Sequence, residues 1–102
     1  MIYTDEEAAA IWNVYSHVRS RLYDRNFVMK LAIVMNTNPK WYKDAIQCTE
    51  SASSVIETAF AFNNRKKAAR YCVIFEYNVR RLTEQTESDY NKKYRESLLG
   101  IR

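Results

Sequence analysis

Residues 65 to 81 read RKKAARYCVIFEYNVRR, and the fold follows from how this stretch divides around a helix. Ala68, Cys72, Phe75 and Val79 are separated by alternating steps of four and three, and Leu82 and Thr86 continue the series. That is the seam spacing of bundles and coiled coils, where one face of a helix meets its neighbours. At about 100° per residue, Lys66, Arg70, Val73, Ile74, Tyr77 and Arg81 gather on the opposite face, with Arg80 at its edge. A surface helix ordinarily shows only polar residues there. Two explanations compete. The face packs on another part of the chain or on a second copy, with its cations snorkelling outward; or it is a ligand surface on which Arg and Lys hold phosphates while Tyr77 stacks on a base.

The same helix continues past its seam. A span from Arg65 to residue 99 is roughly 50 Å long at ~1.5 Å per residue, about ten residues more than the helix before it, so part of it outruns the bundle. After Thr86 the sequence turns polar, and only Tyr90, Tyr94 and Leu98 keep a helical spacing. This end either frays or packs on another subunit through the two tyrosines and Leu98. The charges around it, Glu84, Glu87 and Asp89 against Lys92, Lys93 and Arg95, suit an ordinary exposed helix.

Asn63 and Asn64 make a short link to the preceding helix, because Asn tolerates the left-handed conformation that ends helices. A short link sets the two helices antiparallel. The preceding helix spans 39–62, with Asn38 suited to the N-cap and Pro39 to the first turn. One of its ridges is Trp41, Ala45, Cys48, Ala52, Val55 and Ala59; the adjacent one is Tyr42, Ile46, Thr49, Ser53, Ile56 and Phe60. Glu50, Ser54 and Glu57 fall on the opposite, solvent side.

The chain opens on a capping box, Thr4 with Glu7, and three acids at the positive end of a helix dipole. The first helix is expected over 5–23, with Ala8, Ile11, Val14, Tyr15, Val18 and Leu22 as its buried stripe. Trp12, Arg19 and Tyr23 flank that stripe, either as a rim over the core or as a partner surface. Phe27 to Met35 is apolar on nearly every side. It is a bent continuation of the first helix, a second helix capped by Asp24 or Asn26, or a lone strand. A helix over 26–36 is preferred, since no other segment reads as a strand to pair with it. A helix apolar all round has to be enclosed by neighbours or by another subunit.

Bulk properties agree. The chain has 102 residues, 47% of them hydrophobic, which is enough for one compact domain without disulfide or metal staples. Its single glycine, Gly100, and single proline, Pro39, leave too few turn residues for an all-β or α/β chain. The net charge of +4 is unevenly placed. Residues 1–57 hold six basic and seven acidic side chains, whereas residues 58–102 hold ten basic and five acidic ones. A local basic excess attracts nucleic acid, nucleotides, acidic proteins or an anionic membrane surface.

Catalytic signals are sparse. His17, the only histidine, lies on the polar side of the first helix and reads as a solvent-exposed residue. There is no glycine-rich phosphate loop, no Gly-flanked nucleophile and no Cys/His metal spacing, so neither an enzyme nor a cofactor is expected. Cys48 and Cys72 both sit on apolar helix faces and read as buried, reduced thiols. Glu6 and Glu7 stand where a signal peptide would be basic, and Phe27 to Met35 is too short to span a bilayer. A cytoplasmic protein without membrane insertion is expected. A helix-turn-helix at Asn36 to Pro39 would offer only Lys40 and Lys43 to DNA, a poor reading helix.

The expectation is therefore an all-α, antiparallel bundle of three to four helices with a long C-terminal helix, a single domain over 1–102 that forms a homo-oligomer. As a function it points to a non-enzymatic binding protein whose basic and aromatic helix engages nucleic acid or a nucleotide, held on one chain or between subunits. The candidate ligand residues are Arg65, Lys66, Lys67, Arg70, Tyr77, Arg80 and Arg81. The alternative is a protein-binding adaptor or inhibitor, of the kind viruses and mobile elements encode. Its surface would be drawn from Trp12, Tyr23, Phe27, Val73, Ile74, Tyr90 and Tyr94, rich in hot-spot residue types.

Overall fold

The computed structural model describes residues 3–98 and Gly100. Among them are four α-helices and no strands: α1 (Asp5–Ser20), α2 (Arg25–Val34), α3 (Pro39–Ala61) and α4 (Arg65–Leu98). The all-α bundle with its long C-terminal helix is thus the fold that the seam spacing implied.

Each helix starts where its capping chemistry says it should. Thr4 accepts from the Glu7 amide and Glu7 accepts from the Thr4 amide, both at 3.1 Å, which completes the capping box of α1. The first helix ends at Ser20 rather than continuing to Tyr23. Arg21–Tyr23 tighten into a 3-10 turn and Asp24 is extended at φ −62°, ψ 129°. Asp24 then accepts from the Phe27 amide at 3.1 Å and caps α2, so the chain breaks here rather than bends. A second 3-10 turn, Met35–Thr37, leads to Asn38, which caps α3 through the Trp41 amide, with Pro39 in its first turn. At the α3–α4 link Asn63 takes φ 57°, the left-handed conformation expected of that pair.

Cross-chain contacts fix the topology. Arg65 at the start of α4 reaches Tyr3 and Asp5 at the start of α1, Lys30 of α2 meets Glu87, and Lys93 donates to the carbonyl of Ile33. So α1 and α2, end to end, run parallel to α4. Tyr42 near the start of α3 meets Asp89 near the end of α4, so α3 runs antiparallel to both. The result is a rod of 58 × 23 × 19 Å with α4 as the spine against which the other helices pack.

All six seam residues of α4, from Ala68 to Thr86, are buried. They serve two core clusters. Cys72, Phe75 and Val79 meet Tyr15 and Val18 of α1 and Ala52 and Ile56 of α3. Further along, Leu82 meets Val34 of α2 and Tyr42 of α3. Leu22, in the 3-10 turn, packs against both clusters, which is why the chain can break there without opening the core.

Three expectations are corrected. Val14 belongs to the α1 stripe by spacing but is half-exposed. Cys48 is exposed, although Ala52 and Ala59 further along the same ridge are buried, while Cys72 is buried. Glu57 is not on an idle solvent face; with Ser53 it meets the hydroxyl of Tyr15. Within the chain, α2 is covered on one side, which leaves enclosure by another subunit as the remaining alternative. Phe27, Leu31 and Val34 pack inward, whereas Val28, Met29 and Ile33 of α2 and Met35 of the turn after it are exposed, since α2 touches the bundle along one side only.

Candidate functional site

The outer face of α4 is the surface with the most unusual chemistry. Because the seam fixes the rotation of the helix, the residues diametrically opposite it must face solvent. Val73, Ile74 and Tyr77 are 71%, 42% and 49% exposed. Neither α2 nor any other described part of the chain covers them, so intrachain packing does not explain the face. Lys66, Arg70, Arg80 and Arg81 stand around this apolar island, all exposed. The ion pairs among the described residues are Lys30–Glu87 at 2.8 Å and Arg65–Asp5 at 2.5 Å, so none of those four cations is in one.

The seven expected ligand residues do not stay together. Lys66, Arg70, Tyr77, Arg80 and Arg81 form the outer stripe. Lys67 sits on the shoulder facing α3, beside Phe62 and Thr58. Arg65 is committed to the fold. Its guanidinium donates to the Tyr3 carbonyl at 2.9 Å, the Asn63 side chain at 3.1 Å and Asp5, clipping the start of α4 to the start of α1.

The stripe is also longer than expected. α4 is one continuous helix to Leu98, so Lys92 and Arg95 stay in phase with Arg70, Tyr77 and Arg81, and both are exposed. Between Lys66 and Arg95 the line covers about 44 Å at ~1.5 Å per residue, interrupted by Glu84. The polar composition of residues 88–96 hid this continuation, since charge alternation along the sequence says nothing about phase.

At one edge of the stripe Arg81 turns toward α3. Its guanidinium carbon lies 5.4 Å from the ring centroid of Trp41, a cation–π contact, and the Tyr42 ring meets Trp41 edge-on at 4.9 Å. Beside them is a crevice of about 160 Å³ between α3 and α4, which also touches Asn78.

The residues expected at a protein interface separate by burial. Phe27 and Tyr90 pack into the second core cluster, and Lys30 Nζ stands 5.1 Å over the Tyr90 ring. Tyr94 stacks beside Tyr90 with ring centroids 6.3 Å apart and is exposed. Trp12 leans edge-on against Phe60 at 5.0 Å, forming a rim over the core that remains partly open to solvent. Tyr23 is exposed, with the Arg19 guanidinium 5.2 Å over its ring.

Sequence spacing gave no sign of a groove of about 640 Å³ between the α1–α2 break and α3. Leu22, Phe27 and Leu82 line its floor, and Arg19, Tyr23 and Glu50 stand among its polar lining. It exists because α1 and α3 each pack on α4 rather than firmly on one another.

Two phenols are perturbed. Burial, and then the Glu57 hydrogen bond, push the Tyr15 hydroxyl up to about 12. Burial and then the Asp89 carboxylate push Tyr42 higher still. The Thr86 hydroxyl is near enough to offset a small part of that rise, yet it meets no partner in a geometry that satisfies its own hydrogen bond. Both phenols are held protonated inside the bundle and have structural work.

Among the described residues no group of three or more His, Cys, Asp or Glu side chains could hold a metal ion. No described helix is long and apolar enough to cross a membrane. The chain matches no family model, no curated protein and no solved structure.

Proposed function

We propose that this is a non-enzymatic binding protein that grips nucleic acid along the outer stripe of α4. The observation that carries the reading is the set Lys66, Arg70, Arg80 and Arg81, exposed and free of ion pairs among the described residues, in phase on one helix. A stripe that Lys92 and Arg95 extend to about 44 Å suits a polyanion better than a single nucleotide. Each phosphate neutralised releases counterions, and the surrounding geometry positions the backbone without reading sequence.

The test is anisotropy of labelled oligonucleotides over a salt series. The expected plot of log K against log salt is linear with a slope of about −3 to −4, from roughly four phosphate contacts. Arg70→Glu with Arg80→Glu should abolish binding. A flat salt dependence, or no binding at low salt, overturns the proposal.

A second reading is favoured by the groove between the α1–α2 break and α3. With Arg19 and Tyr23 in its polar lining and an apolar floor, it has the chemistry of a protein-recognition site, as an adaptor or inhibitor would need. Self-association belongs to the proposal as well, and the exposed apolar residues Val28, Met29 and Ile33 of α2, with Met35 just after it, support it. Light scattering after size exclusion separates monomer from oligomer. The free thiols of Cys48 and Cys72 suit a reducing compartment such as the cytoplasm.

A further inference from the structure

We propose that the nucleic acid on the α4 stripe is single-stranded, and that one of its bases enters the α3–α4 crevice and stacks on Trp41. This rests on the polyanion reading and adds to it the strand class and the base site. Arg81 belongs to both surfaces. It lies on the edge of the outer stripe and lines the crevice, 5.4 Å from the Trp41 ring. A strand whose phosphates follow Arg70 and Arg81 therefore passes the crevice mouth, which Arg81 lines.

The size and lining fit a flat heterocycle. About 160 Å³ is the space of some five water molecules at ~30 Å³ each, enough for a ring system and too small for a whole nucleotide. Trp41 is pre-positioned by the Tyr42 edge at 4.9 Å, so little ordering is required when a base arrives. Around the ring stand an amide, Asn78, which both donates and accepts, and a carboxylate, Asp44, which accepts. Those are the complements of exocyclic amino and ring-nitrogen groups on a base edge. In a duplex these edges are paired and the faces stacked, whereas an unpaired base offers both, and every base has a face to stack.

The chain supplies its own reporters. With Trp12→Phe, Trp41 is the remaining tryptophan of two. Its emission is followed while a single-stranded oligodeoxycytidylate or a blunt duplex of equal length is added, and anisotropy of the labelled oligonucleotide gives affinity. The unsubstituted protein gives a second readout. Cys48 lines the crevice and is exposed, while Cys72 is buried, so alkylation of the folded chain reports on Cys48.

The single strand is expected to quench Trp41, to slow Cys48 alkylation, and to bind about tenfold more tightly than the duplex, the scale of one stacked base. Asn78→Ala should weaken single-strand binding and leave duplex binding unchanged. If both strands bind equally with a steep salt slope, and Trp41 emission and Cys48 reactivity do not move, the crevice proposal is overturned and the stripe stands. If neither binds, both fall.

Discussion

The Tyr42 hydroxyl, buried at the start of α3, donates a hydrogen bond of 2.5 Å to Asp89 near the end of α4, across a sequence separation of 47. Tyr15 makes the matching contact from α1 to Glu57 of α3, also at 2.5 Å. Each carries a hydroxyl into the core and meets a carboxylate at its edge, and each ties two helices together at a defined register.

Tyr42→Phe leaves the ring in place and removes the donor. Hydrogen bonds to charged groups contribute about 1.5–3 kcal/mol, so the urea midpoint should fall by a corresponding amount. An unchanged midpoint would show that Asp89 is fully served by water.

The same phenols set the alkaline limit. A tyrosine in the unfolded chain titrates near 10, whereas Tyr15 titrates near 12 in the fold and Tyr42 above it. Below pH 10 both states hold the proton and the contribution to stability is complete. As pH rises further the unfolded chain loses its protons first, and stability falls. The doubly substituted Tyr15→Phe, Tyr42→Phe protein should be less stable at pH 8 but lose less between pH 10 and pH 12, as read from urea midpoints.

Thr86 is buried in the α4 seam with a hydroxyl that has no satisfied hydrogen bond. Thr86→Val keeps the shape and removes that cost, and should stabilise the protein by about 1 kcal/mol. Thermal unfolding checks the direction.

Phe75 and Val73 sit two residues apart on opposite sides of α4, the first 0% and the second 71% exposed. Phe75→Ala should cost about 3–5 kcal/mol, and Val73→Ser should stay within about 0.5 kcal/mol. Denaturant titration of both variants measures the rotation of the helix directly.

Arg65 and Arg70 are both basic residues of the same helix, yet only Arg70 belongs to the stripe. Arg65→Ala should lower the melting temperature by releasing Tyr3, Asp5 and Asn63, with little effect on oligonucleotide affinity. Arg70→Glu should do the reverse. Equal binding losses from the two would mean that the charge acts as an unstructured excess.

Most of the fold was legible in the chain itself. The capping box, Asn38 with Pro39, the Asn63–Asn64 link and the seam from Ala68 to Thr86 are local signals, because caps and periodicity depend on residues three or four apart. That is why helix type and the buried face of α4 followed from spacing alone. The break between α1 and α2 is not set by local signals alone: Asp24 suits a continuous helix or a cap, and Leu22 packing on both cores is what holds the break.

Tertiary structure decided the rest, since it depends on which surfaces are covered. Spacing put Val73, Ile74 and Tyr77 among cations but could not say whether another helix lay on them. The bundle leaves them open because α1–α2 and α3 occupy the inner side of α4. It also committed Arg65 to Tyr3 and Asp5 at the start of α1, and brought Trp41, from an earlier helix, beside Arg81. Residues forty positions apart meet only when antiparallel packing sets the register of α3 on α4, and neither composition nor period carries that information.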